Sequence, residues 1–177
     1  NEDMVKLLTQ TDPVMLHGYT SAQGAPSVRQ AIADNINKRF NIGATADLLY
    51  MTCGAAASLT ISLNAIVNKG DEVIVLAPFF PEYRVFAEKA GATVKVVKCR
   101  ESDLQIDFEA LDNAITEKTR AIIVNSPNNP SGVVYTEDKI KKIAEILDKK
   151  QKEYGHEIYI ICDEPYRELV YDDLPVP

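Results

Sequence analysis

At 177 residues, 46% hydrophobic and 25% charged, the chain has the size and composition of one globular domain, or a large part of one, with a sizeable core. Its net charge of −7, with no basic stripe, excludes a binder of nucleic-acid backbone. No apolar run approaches the roughly 20 residues that cross a bilayer, which excludes a membrane-spanning helix.

The first element is a short helical pattern at Met4, Val5, Leu7 and Leu8, halted before Pro13. A loop of small and polar residues, Gly18 to Pro26, follows. Pro26 suits the first turn of a helix with Val28, Ala31, Ile32, Ile36 and Phe40 along one stripe. Residues 48–53 read as a strand that turns through Gly54-Ala55-Ala56-Ala57 into a helix, apolar at Leu59, Leu63, Ile66 and Val67, with Gly70 as its expected C-terminal cap. Glu72 to Leu76 is the next strand, broken by Ala77-Pro78-Phe79-Phe80-Pro81, and a short helix runs from Glu82 to Ala90. Thr93 to Lys98 places valines between lysines, as in a strand near a sheet edge.

Asp107 is a good N-cap for a helix carrying Phe108, Leu111 and Ile115. Ala121-Ile122-Ile123-Val124 reads as a strand buried on both faces. It runs into Asn125-Ser126-Pro127-Asn128-Asn129-Pro130-Ser131-Gly132, which cannot continue a strand because its prolines lack donors and its asparagines favour turns. Helix 136–150 has acids in its first turn, Lys149 and Lys150 in its last, and a buried stripe of Ile140, Ile143, Ala144 and Leu147. Ile158 to Cys162 is the final strand, ending in Asp163-Glu164-Pro165-Tyr166.

Strands and helices alternate throughout, which predicts an α/β fold: three layers, α/β/α, around a mainly parallel sheet. Cys53, Cys99 and Cys162 are odd in number and lie in or beside apolar segments. They are expected to be small buried thiols in a reducing compartment, not a disulfide frame or a metal set. The polar start, Asn1-Glu2-Asp3-Met4, carries no signal-peptide pattern, so the expected location is cytoplasmic. The chain opens without a methionine and stops at Asp172-Asp173-Leu174-Pro175-Val176-Pro177 with no closing element; processing would explain the first feature, and a piece of a longer protein is the expectation that explains both.

Four groups fall just past the ends of predicted strands: Gly54-Ala55-Ala56, Phe79-Phe80, Asn128-Asn129, and Asp163 with Tyr166. In a parallel sheet such ends form one rim, where ligands bind. Backbone N–H groups of Ala55 and Ala56 at a helix start suit a phosphate, although small residues there also let a helix approach a sheet closely. Phe80 either stacks on a flat ring or fills core. An ionised Asp163 at the end of an apolar strand needs a partner, for which a protonated ring nitrogen, an arginine or a helix cap would serve. Tyr166 either donates to a phenolate oxygen or packs, and Asn129 either donates likewise or holds its own turn. Together the groups describe a phosphorylated, pyridine-like cofactor.

Asn-Ser-Pro-Asn-Asn-Pro-Ser-Gly at 125–132 and Cys-Asp-Glu-Pro-Tyr at 162–166 resemble the class I/II aminotransferases, fold type I enzymes of pyridoxal 5'-phosphate (PLP). Tyr19 to Arg29 (Tyr-x-x-x-x-Gly-x-x-x-x-Arg), Gly54-Ala55-Ala56 and Ala77-Pro78-Phe79-Phe80-Pro81 extend the resemblance in family order over nearly the whole chain. The resemblance implies that residues 1–177 are a partial PLP-binding large domain, lacking an N-terminal segment, the catalytic-lysine region and the C-terminal small domain. It implies that Asp163 pairs with the pyridine nitrogen, that Tyr166 and Asn129 bind the phenolate oxygen, that Phe80 stacks on the ring, and that Ala55 and Ala56 hold the phosphate. The hydroxyl side chain usual at the phosphate is missing, which leaves more to backbone and to residues elsewhere. Tyr19 resembles the tyrosine that reaches the phosphate of the neighbouring subunit, which implies a homodimer. Amino acids and 2-oxo acids are the implied substrates, with no nucleic acid or membrane partner. Arg84 and Arg167 read as surface or ion-pair residues.

The same site also serves relatives that cleave C–S bonds, form cyclopropanes or transfer acyl groups. An aminotransferase-like domain can also act as the effector sensor of a transcription regulator, but nothing in residues 1–16 suggests a helix-turn-helix. In the family sheet two later strands separate the strand before Gly54 from the strand before Asn125. Residues 48–53 are therefore expected to re-pair or to associate with a second copy. The family's Schiff-base lysine lies beyond Asp-Glu-x-Tyr in a Ser-x-x-Lys motif that these 177 residues do not contain, so no catalytic residue is assigned. The 177-residue polypeptide supplied with PLP is expected to show no transamination, checked by following oxo-acid formation from an amino donor.

Overall fold

The computed structural model describes residues 1–171 and 176; the Asp172-to-Pro175 stretch and Pro177 lie outside the described residues. The chain divides into two compact units, residues 1–53 and residues 54–177.

The first unit holds three helices: α1 (Glu2–Gln10), α2 (Pro13–His17) and α3 (Pro26–Phe40). The apolar residues that predicted α1 are there, but Met4, Val5, Leu7 and Leu8 are all exposed. Helix α2 is too short to carry a periodic signal; Asp12 caps it by accepting hydrogen bonds from the N–H groups of Val14 and Met15. In α3 the expected apolar stripe is not the buried one. Arg29 and Ala33 are buried, while Val28 and Phe40 are nearly half exposed. The cause is hydrogen bonding. The Arg29 guanidinium donates to the carbonyl oxygens of Gly24 (3.3 Å) and Ala46 (2.5 Å), and the Asn37 carboxamide both donates to and accepts from the backbone of Ala44 at 2.7 Å. Those bonds draw the polar side of α3 onto its own loop.

The strand expected at 48–53 is absent. Ala46–Leu48 form one 3₁₀ turn, and Leu49 to Cys53 run on without a ladder partner. The Met51 N–H instead donates to the Gln23 carbonyl at 3.0 Å. Extended backbone becomes a strand only when a neighbour satisfies its donors and acceptors, and none of the described strands does so here.

The second unit runs α4 (Ala55–Ile66), β1 (Glu72–Ala77), α5 (Glu82–Lys89), β2 (Thr93–Lys98), α6 (Phe108–Ala114), β3 (Thr119–Asn125), α7 (Glu137–Tyr154) and β4 (Tyr159–Asp163). The four strands are parallel in the order β2-β1-β3-β4. The alternation of strand side chains separates two cores. Val73, Val75, Ala121 and Ile123 meet Leu59 and Leu63 of α4 and Tyr83 and Ala87 of α5. Ile74, Leu76, Ile122 and Val124 meet Leu111 of α6 and Ile143 and Leu147 of α7. The unit is therefore three layers, with the central strands β1 and β3 buried on both faces as their sequences predict. Among the described residues no helix is long and apolar enough to cross a membrane.

Boundaries differ in instructive ways. Helix α4 ends at Ile66 with Val67 as its cap, and Gly70, at φ +94°, belongs to the following turn, where its N–H donates to the Gly91 carbonyl. Helix α7 passes the expected stop at residue 150, because Gln151, Lys152 and Glu153 are good helix formers and Gly155 is the first residue to take the left-handed cap. Strand β2 is an edge strand as expected. So is β4, which leaves Cys162 exposed; Cys53 is exposed too, and only Cys99 is the buried thiol its surroundings predicted. Replacing Ile122, fully buried between β3's neighbours, with alanine is expected to destabilise the fold by about 2–5 kcal/mol, read from urea unfolding midpoints.

Candidate functional site

The C-terminal ends of the parallel strands β1, β3 and β4, together with the start of α4, surround a cleft of about 240 Å³. Its lining comprises Ala55, Ala56 and Leu59 of α4, Phe80 and Tyr83, Asn125 and Asn129, and Asp163, Pro165 and Tyr166. The cleft lies wholly within the second unit.

The floor begins at Gly54, the N-cap of α4, whose φ of +88° is open to glycine and strained for other residues. The first backbone N–H groups of a helix have no intrahelical acceptor. Those of Ala55 and Ala56 therefore remain available beside the cleft, on the positive end of the helix dipole. No acidic side chain occupies the first turn of α4.

The opposite wall is set by the pairing of β3 and β4, which brings Asn125 level with Asp163. The buried Asn125 carboxamide uses both ends. Its Nδ2 donates to the Asp163 backbone carbonyl at 2.7 Å, and its Oδ1 accepts from the Asn129 N–H at 2.6 Å. The loop beyond folds on itself. Asn128 Oδ1 accepts from the N–H and hydroxyl of Ser131, and the Asn128 carbonyl accepts from the Gly132 N–H at 2.7 Å. The Ser126 hydroxyl accepts from the Tyr135 N–H at 2.8 Å. The Ser126-Pro127 and Asn129-Pro130 peptides of this loop are cis. Thus Asn129 is presented at the rim, where its Nδ2 lies 3.4 Å from the Tyr166 hydroxyl.

Asp163 is the central acid. Its Oδ2 accepts a 2.5 Å hydrogen bond from the Tyr83 hydroxyl, whereas among the described residues Oδ1 accepts none. Tyr83 is buried and meets the Phe80 ring edge-on, with centroids 5.6 Å apart and planes at 78°. Burial, and after it the hydrogen bond to Asp163, push the Tyr83 phenol far above its ordinary range, so it remains a donor.

Of the residues singled out from sequence, Ala55, Ala56, Phe80, Asn129, Asp163 and Tyr166 line this one cleft. Ala55 and Ala56 reach it from a helix with no strand before it. Tyr19 lies in the first unit and is fully exposed. Arg84 and Arg167 are in ion pairs with Glu88 (3.3 Å) and Glu164 (3.7 Å). The sequence reading missed Tyr83 and Asn125 as site residues. Asn125 stands at the first position past an apolar strand run, and Tyr83 lies three residues after Phe80, but neither spacing says which way the side chain turns. Among the described residues no group of three potential ligands could hold a metal ion.

Asn125→Ala removes a carboxamide that satisfies two backbone groups at once. It is expected to destabilise the protein by about 1–3 kcal/mol and to speed hydrogen exchange at the Asn129 amide, measured by urea unfolding and exchange NMR.

Comparison with known proteins gives a consistent picture. The family model described as aminotransferase class I and II matches residues 2–177. The chain is 34% identical over 154 residues to a probable aspartate aminotransferase of Methanocaldococcus jannaschii, an overlap of 87% of this chain and 39% of that protein. It is 36% identical over 155 residues to a probable aspartate/prephenate aminotransferase of Thermus aquaticus, with the same shares. Among solved structures, an aminotransferase from Eubacterium rectale superposes with a TM-score of 0.95 at 52% identity, covering 100% of this chain and 45% of that one. Aspartate aminotransferase from Thermus thermophilus with maleate superposes with a TM-score of 0.84 at 31% identity, covering 97% and 42%. The chain therefore spans about two-fifths of the length of the curated relatives it matches.

Proposed function

The chain belongs to the class I and II aminotransferases, a PLP-dependent family, and from that premise we propose that it forms part of the cofactor-holding large domain of an enzyme transferring an amino group between an amino acid and a 2-oxo acid. The observation that carries this reading is the gathering of a spare Asp163 carboxylate oxygen, an aromatic face at Phe80 and free helix-start amides around one cleft.

The residues fit PLP on three counts. The α4 start offers donors and a favourable dipole to an anion. Asp163 has one carboxylate oxygen held by protein and one unclaimed. Asn129 and Tyr166 bring two side-chain donors to the same rim. When bound, PLP supplies a carbonyl that condenses with amines and a ring that withdraws electrons.

The work of the chain is to hold and tune. Asp163 would hold the ring nitrogen of bound PLP, and its carboxylate would favour a proton there. Tyr166 and Asn129 would donate hydrogen bonds to the phenolate oxygen of bound PLP and favour its anionic form. Phe80 covers one ring face and keeps water from it. The amides of Ala55 and Ala56 bind the phosphate. Among the described residues no lysine or arginine lines the cleft, so the charge balance of the phosphate and the amine that joins the cofactor carbonyl are assigned to no residue of this cleft.

The exposed Tyr19 is free to reach a neighbouring subunit, which supports a homodimeric enzyme. Relatives called aspartate aminotransferase make dicarboxylic amino acids the first donors to assay. Three cysteines without a disulfide suit a cytoplasmic setting. In the full-length polypeptide, Asp163→Ala is expected to weaken PLP binding at least about tenfold, the value of one lost charge-assisted bond. Fluorescence titration checks this, and unchanged affinity would count against the assigned site.

A further inference from the structure

Arg29 is buried in the first unit, in the first turn of α3, and has been given no role in function. Its Nε donates to the Gly24 carbonyl at 3.3 Å and its Nη1 to the Ala46 carbonyl at 2.5 Å, so one side chain joins the loop before the helix to the turn after it. Asp47 lies 3.8 Å from Nη1 but is almost fully exposed, which leaves the placing to the two carbonyls. The Gly24 carbonyl also accepts from the Ser21 hydroxyl, and the Gly24 N–H donates to the Ser21 carbonyl at 2.8 Å, closing residues 21–24 into a tight turn. Behind that turn the Gln23 carbonyl accepts from the Met51 N–H at 3.0 Å, and Gln23 Nε2 donates to the Tyr50 hydroxyl at 2.9 Å. Gly24, at φ +95°, sits so close to Met51 that an added Cβ would come within 2.3 Å of Met51 Cγ. Tyr19, two residues before this turn, is fully exposed.

We propose that Arg29 is a positioning residue: by holding the carbonyls of Gly24 and Ala46 it fixes residues 21–24 as a preformed arm that presents Tyr19 to a second subunit, so that the guanidinium of one chain supports cofactor binding in the other. The inference rests on the reading of Tyr19 as a residue that serves the neighbouring subunit. A loose loop loses conformational freedom when it docks, and that loss is subtracted from the contact it makes. A loop already tied at Ser21, Gln23 and Gly24 has lost most of that freedom before the partner arrives. Arginine suits the task because its fork offers several N–H groups in a fixed plane, and here two of its nitrogens serve two carbonyls at once. Burial adds to the constraint, since a guanidinium drawn away from water keeps the acceptors it has.

Arg29→Lys keeps the charge but has one nitrogen for two carbonyls, and Gly24→Ala disturbs the same turn with Arg29 intact. Both are made in the full-length polypeptide, and PLP affinity is read by fluorescence titration. Each homodimer is expected to bind PLP about tenfold more weakly than wild type, as Tyr19→Phe should, the value of one lost bond to a charged group. The deciding sample is a hybrid dimer, purified through two different tags, of one Arg29→Lys chain and one Asp163→Ala chain. There the site of the Arg29→Lys chain meets the intact arm of its partner, so half of the sites are expected to bind PLP with wild-type affinity. If Arg29→Lys does not fold, Gly24→Ala takes its place in the hybrid. An Arg29 that supports only its own chain leaves no wild-type site in the hybrid, and that result overturns the proposal. So does wild-type affinity in both Arg29→Lys and Gly24→Ala beside a weakened Tyr19→Phe. Wild-type affinity in Tyr19→Phe, or a protein that forms no dimer, overturns the reading beneath it.

Discussion

The cleft depends on the parallel pairing of β3 with β4 and on the single carboxamide that closes it. Register places Asn125 opposite Asp163, and the Asn125 side chain then satisfies a carbonyl of one strand and an amide of the loop leaving the other. A buried amide group with either end unpaired is costly, so this arrangement is all or nothing. One residue therefore sets the position of the acid and of Asn129 together.

The rest of the second unit supports that pairing. Strands β1 and β3 lie between two apolar layers, with Ile122 and Ile123 pointing to opposite cores. Burial on both faces leaves polar chemistry nowhere to go except the strand ends. At those ends the chain exchanges apolar runs for proline, asparagine and aspartate, and the cleft forms there. Helix α4 adds the complementary feature, a start free of acidic side chains whose first amides have no partner inside the helix. The cleft thus presents a negative group at one place and a positive dipole at another, a polarity suited to a ligand with a cationic ring and an anionic tail.

Where sequence reading went astray, hydrogen bonds overrode hydrophobic pattern. The apolar stripe of α3 pointed to Val28 and Phe40, but Arg29 and Asn37 found backbone acceptors and turned the helix to suit them. Residues 48–53 have the composition of a strand, yet pairing is a property of two segments, and composition describes only one. The exposure of Cys162 has the same root, since an apolar strand does not announce whether it stands at the centre of a sheet or at its edge.

The sequence by itself determined the alternating elements, the two-sided burial of β1 and β3, the turn-rich loop at 125–132 and the family to which both motifs belong. These are local properties, written in period, propensity and short-range spacing. Only the tertiary structure decided that the Tyr83 hydroxyl donates to Asp163, 80 residues away, and that Asn125 binds strand and loop together. Long-range hydrogen bonds arise from where side chains meet after the layers close, and no spacing along the chain encodes that meeting.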